Sequence, residues 1–208
     1  MVLAKQLRDI FVAKYLPVLS RISGVEVREG VEEVARLFPT PDLYKWLNEA
    51  PYYELSPFAF LIKAPAGKKK PKDEIYVVFS TRKFKDKQRP VTLVGIKWIG
   101  HWYIDNATDI KELNSDHWKV FYGRLNELVS RLIARAVAKR FPKAQWWSDS
   151  RAVRLPDRQT KIHFKFTLRQ LYLTFESGGG RKIETGIELP EEGDIVESLV
   201  KAIVVSLI

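Results

Sequence analysis

Cysteine is absent from this 208-residue chain and methionine occurs once. No disulfide can staple such a fold and no thiolate can hold a metal, so stability has to come from packing and charge. Long apolar runs are missing too. No stretch of about 18 uncharged apolar residues exists, and Met1–Leu16 is interrupted by Lys5, Arg8, Asp9 and Lys14. Neither a membrane span nor a secretory signal fits, and the expectation is a cytoplasmic protein with no membrane partner. The cluster Gly178-Gly179-Gly180 lies between two strand-like runs with no helical pattern after it, so it is not a phosphate-cradling loop. No cofactor is expected.

The chain does contain ample material for a core. A hydrophobic fraction of 46%, with six Trp, eight Tyr and eleven Phe, excludes general disorder. One methionine and no cysteine beside abundant Lys, Arg and Glu lean toward the composition of heat-adapted proteins.

Charge is the most informative feature. The formal net charge of +10 is concentrated in two segments: Lys63–Lys97 has eleven Lys/Arg against three Asp/Glu, and Arg131–Arg169 has eleven against two. The remaining stretches are mildly acidic. Charge sorted in this way gives the molecule a directional field that concentrates polyanions, which makes nucleic acid the first partner to consider.

Apolar spacing at Leu3, Leu7, Ile10, Phe11, Tyr15 and Leu16 predicts an amphipathic helix that Pro17 kinks or ends. A short helix is expected over residues 31–38, and Thr40-Pro41-Asp42 should cap another through Tyr44, Trp46 and Leu47. Ile75–Phe79 and Val91–Ile104 read as an antiparallel hairpin, with Gly100 marking a bend that would divide the second run. Asn114-Ser115-Asp116 offers caps for the longest helical pattern, whose apolar face runs from Trp118 to Val137. A polar connection of nearly twenty residues follows Pro142. Strict alternation over 161–168 then opens a three-stranded meander through 170–177 and 181–189, with a basic outer face. The last helical pattern, Ile195–Ile208, is apolar on most sides. The sum is an α+β fold: one antiparallel sheet of about five or six strands flanked by four or five helices. It is read as a single domain over 1–208, with a sub-boundary near residue 112 as the other arrangement.

Three groups of residues are candidates for nucleic-acid contact. The loop lysines Lys68, Lys69, Lys70 and Lys72, with Arg82, Lys83, Lys85, Lys87 and Arg89, place cations at both ends of the first hairpin, where they can neutralise phosphates. Trp146 and Trp147 lie in the basic connection beside Arg151, Arg154 and Arg158, offering faces on which unpaired bases stack. Lys161, His163 and Lys165 share one face of the alternating strand, which Tyr172 and Thr174 of the next strand join if the hairpin register permits. The blander alternatives are a solvated charge run, indoles folded back on the core and an ordinary solvent face. The combination of rings and cations favours single-stranded DNA or RNA over duplex.

Two other classes compete with this one. His101, Asp105, Asp109, Asp116 and His117 are metal-ligand types within seventeen residues, which would suit a metal-dependent nuclease. Against it, His101 and Asp105 are about 13 Å apart along a strand, and Asp116 and Asp109 are explained as helix-start acids, so no metal site is assigned. The third class is a non-catalytic subunit of a nucleic-acid-processing complex, docking on a protein partner or a second copy through the C-terminal helix.

Overall fold

The computed structural model describes residues 3–30, 52–65, 72–84, 91–98, 101–107 and 116–207, except 147–149, 158 and 169, with the backbone alone at several strand and helix ends. Its contacts sort into two compact units. The first comprises residues 1–16 and 26–121, and the second 17–25 and 122–208.

In the first unit, helix α1 (Leu3–Lys14) packs on an antiparallel meander of β1 (Glu26–Glu29), β2 (Tyr52–Pro65), β3 (Lys72–Phe84), β4 (Val91–Trp98) and β5 (His101–Ala107), in that spatial order. The helix stops before Pro17, which the one-turn helix α2 (Leu16–Leu19) accommodates near its start, where no interior N–H is needed. Phe60, Ile62, Ile75, Val77 and Phe79 alternate onto one buried face, and Ala59 and Val78, paired on the opposite face, are buried as well. Phe11 reaches down from α1 to Phe60 at 4.6 Å and Phe79 at 5.9 Å, and Phe121 meets Phe79 edge-on at 6.0 Å. Each such ring contributes about 1.5–3 kcal/mol by burial. Val91–Ile104 does divide into two strands, with Trp98 opposite His101.

The second unit is built on helix α3 (Asp116–Ala138), which begins in the first unit, and on β6 (Gln145–Trp146), β7 (Ala152–Arg154), β8 (Lys161–Phe166), β9 (Leu171–Glu176), β10 (Lys182–Ile187) and helix α4 (Ile195–Ser206). The strands form a second antiparallel sheet in the order β10-β9-β8-β7-β6. Its apolar face carries Val153, Ile162, Phe164, Leu171 and Leu173, all buried. Helix α3 meets that face, since its Ser130 hydroxyl accepts the Phe166 N–H at 2.8 Å. Helix α4 starts on Asp194, whose carboxylate accepts the Val196 and Glu197 N–H groups at 2.7 and 3.4 Å. The segment 17–25 holds that start, with Arg21 O accepting the Ile195 N–H at 3.0 Å, Arg21 donating to Pro190 O, and Ser23 donating to Asp194.

The mixed α+β class is as expected, but the arrangement differs. Among the described residues the strands form two five-stranded sheets, where one sheet of about five or six was expected. Three helices longer than one turn, with α2, stand among the described residues against four or five expected; the helices anticipated at 31–38 and 40–47 fall outside them. The long polar connection contains β6 and β7, which widen the three-stranded meander to five. Strands of two and three residues are too short to show a period. The contacts change over after Phe121, within α3, where the sequence suggested a sub-boundary near residue 112.

Candidate nucleic-acid interface

Alternation along β8 sends Ile162, Phe164 and Phe166 into the core and leaves Lys161, His163 and Lys165 on the other face. Register extends that face across the sheet, because residues opposite one another share a side. Arg154 of β7 lies opposite Lys161, which lies opposite Glu176 of β9, which lies opposite Lys182 of β10. In the next row His163 faces Thr174, and Thr174 faces Glu184. In the third, Lys165 faces Tyr172, and its ammonium sits 5.8 Å from the ring centre. Four permanent cations and a histidine therefore share one face with two carboxylates.

Glu176 organises the middle of this face. Its carboxylate is 3.0 Å from His163 Nε2 and 3.8 Å from Lys182 Nζ. The His163 hydrogen bond, helped by the charges of Lys182, Lys161 and His163, holds the Glu176 carboxyl below its ordinary range. The turn into β8 is tied by Asp157, whose carboxylate accepts the Gln159 and Thr160 N–H groups at 3.0 and 2.9 Å and the Thr160 hydroxyl at 2.7 Å. Those bonds, with the Thr160 hydroxyl first, lower the Asp157 carboxyl as well. This acid thus has a local role in shaping the β7–β8 turn, which positions Lys161.

Trp146 is on the other side of the sheet. It lies opposite Val153, which lies opposite buried Ile162, so all three share the apolar face. The indole N–H donates to Ser150 O at 3.1 Å, and the Arg135 guanidinium stands over the ring at 4.5 Å. One face of this indole is thus occupied within the unit, away from Lys161, His163 and Lys165. Arg151 and Arg154 are exposed, while Trp147 and Arg158 are outside the described residues. Sequence reasoning did not include Glu176 or Lys182 in the site, nor the pairing of Arg135 with Trp146. The alternation of β9 and β10 carries the first two, once the Gly178–Gly180 turn sets the register.

In the first unit, Lys72 starts β3, and Arg82 and Lys83 lie near its far end, opposite Glu54 and Tyr53. Ten residues of strand separate Lys72 from Arg82, or about 33 Å. Lys68, Lys69, Lys70, Lys85, Lys87 and Arg89 are outside the described residues. On the sheet face turned from α1, Lys97 lies 5.7 Å from the Tyr76 ring, whose phenol donates to Glu74 at 2.9 Å. Burial, then that bond, raises the Tyr76 phenol.

His101 and Asp105 lie in β5, and Asp116 and His117 open α3, whereas Asp109 is outside the described residues. Among the described residues no three His, Asp or Glu side chains gather to hold a metal ion, and no helix is long and apolar enough to cross a membrane. Comparison with protein-family models, curated proteins and solved structures finds no match to this chain.

Proposed function

We propose that this protein binds nucleic acid without cleaving it, preferring single strands, through the polar face of the β6–β10 sheet. The observation that carries the reading is the row of Arg154, Lys161 and Lys182 on β7, β8 and β10, with Glu176 of β9 between the two lysines and Lys165 set over Tyr172 on the same face. Arg154 and Lys161, held side by side at a strand spacing of about 4.8 Å, match closely spaced phosphates better than isolated surface lysines do. Tyr172 supplies a ring for a base to stack on when the Lys165 ammonium moves to a phosphate, a gain of about 1–3 kcal/mol per base. Trp147, Arg151 and Arg158, and the lysines of residues 68–87 with Arg82 and Arg89, enter the reading on their sequence positions.

Fluorescence anisotropy of labelled single- and double-stranded oligonucleotides over a salt series tests it. The expected result is tighter binding of single strands, with a salt slope near −3 for about four phosphate contacts. Lys161→Ala with Lys165→Ala should reduce that slope by about 1.4. No binding at low salt would remove the proposal. Cleavage on adding Mg²⁺ or Mn²⁺ would replace it with the nuclease reading.

A further inference from the structure

The outer edge of β10 has no strand partner among the described residues, and Lys182 through Gly186 are exposed on both faces. On the apolar side, Ile183 is 52% exposed and forms one wall of a cleft of about 270 Å³ with Phe175, Thr185 and, from the end of α4, Leu207. Val204 and Val205 on that last helical turn are exposed as well, Val205 by 74%. An unpaired edge with an apolar flank is a template for strand addition.

We propose that a second copy of this chain occupies this edge, pairing β10 with β10 about a twofold axis to make a continuous ten-stranded sheet. Backbone direction and side-chain charge together select the register. Ser177 N–H donates to Arg181 O, so Arg181, Ile183, Thr185 and Ile187 turn their backbone groups toward β9, and Lys182, Glu184, Gly186 and Glu188 turn theirs outward. With Thr185 opposite its own copy, Glu184 pairs with Gly186 and Lys182 with Glu188 of the second copy, all through outward groups. Ile183 then faces Ile187 of the second copy in a close, non-hydrogen-bonded pair on the apolar side. Opposite charges meet at both ends, and the exposed Ile183 is covered. Sliding the partner two residues in either direction opposes Glu184 to Glu184 or to Glu188 of the second copy, so like charges exclude the neighbouring registers. The interface is isologous, as a closed dimer requires.

Sedimentation velocity of the full chain, without nucleic acid and over about a hundredfold concentration range, tests this. The expected result is a monomer–dimer equilibrium. Glu184→Pro blocks the outward edge while leaving the β9 ladder intact, because the Glu184 N–H faces away from β9, and should give a monomer. Lys182→Glu creates two like-charge pairs and should weaken dimerisation about tenfold. Adding Glu188→Lys to Lys182→Glu should restore it, an effect that lost stability alone would not produce. A monomer at every concentration, or a dimer indifferent to Lys182→Glu and its Glu188→Lys rescue, would overturn the proposal.

Discussion

Glu176 sets the charge balance of the polar face, because it places a carboxylate between Lys161, His163 and Lys182. Glu176→Gln removes one negative charge from the path proposed for phosphates and should tighten single-strand binding about three- to tenfold at low salt, an advantage that fades as salt screens the face. Anisotropy at two salt concentrations reads this directly, and an unchanged affinity would place the bound strand elsewhere. Asp157 affords a stability test of the turn that positions Lys161. Asp157→Ala leaves two N–H groups and a hydroxyl without their acceptor and should cost about 1 kcal/mol in urea unfolding near neutral pH. The folded-state carboxyl is lowered from the ordinary 3.8, so its stabilisation is complete above that value and is lost as pH falls through the lowered one. The stability difference between wild type and Asp157→Ala should therefore hold from pH 7 to pH 5 and vanish in strong acid. A constant difference down to the acid limit would show that the carboxylate charge is not what ties the turn.

At the level of elements, Trp146 and Lys165 occupy opposite faces of one sheet, so their substitutions should separate cleanly. Trp146→Ala removes a half-buried ring from under Arg135 and should lower unfolding free energy by about 1–3 kcal/mol while the folded fraction binds single strands as before. Lys165→Ala should do the reverse, weakening binding with little change in Tm. Loss of binding in Trp146→Ala at full folding would return this indole to the interface. The two residues also show what was legible in the sequence. The basic face of β8 follows from strict alternation over 161–168, a pattern that solvent on one side and a core on the other impose directly. Helices α1, α3 and α4 were legible for the same kind of reason, through period and caps. Trp146 was misleading because its strand is two residues long, and a ring in a short, polar stretch looks unattached until its neighbour Val153 is known to be in the sheet. Strand β2 escaped notice because Pro57 and a register shift between Glu54 and Ser56 disturb its alternation, and β1, Glu-Val-Arg-Glu, has a single apolar residue, too few to show a period. The buried Arg135 stands over the Trp146 ring, a contact between α3 and β6 that no spacing in the sequence announces.

On the scale of the whole molecule, the two basic segments fall on different units: Lys63–Lys97 belongs to the first, and Arg131–Arg169 to the second. The +10 charge is thus divided between two linked modules, each with its own sheet. Linked modules that engage one strand gain by effective concentration, and the gain appears only when the strand is long enough to reach both. A short oligonucleotide of about 8 bases, within the site size of a single small module, should therefore bind through the second unit alone. Its affinity should fall with Lys161→Ala and Lys165→Ala and be indifferent to Lys68→Ala, Lys69→Ala and Lys70→Ala. An oligonucleotide several times longer should bind more tightly, with a steeper salt slope, and should lose affinity with either set of substitutions. Titrating both lengths against both variants distinguishes the outcomes. If the residue 68–70 variant binds long strands as wild type does, the loop lysines serve solubility, and recognition rests on the β6–β10 face alone. If it weakens short strands as strongly as long ones, the two units contribute to a single compact site, and the modular account fails.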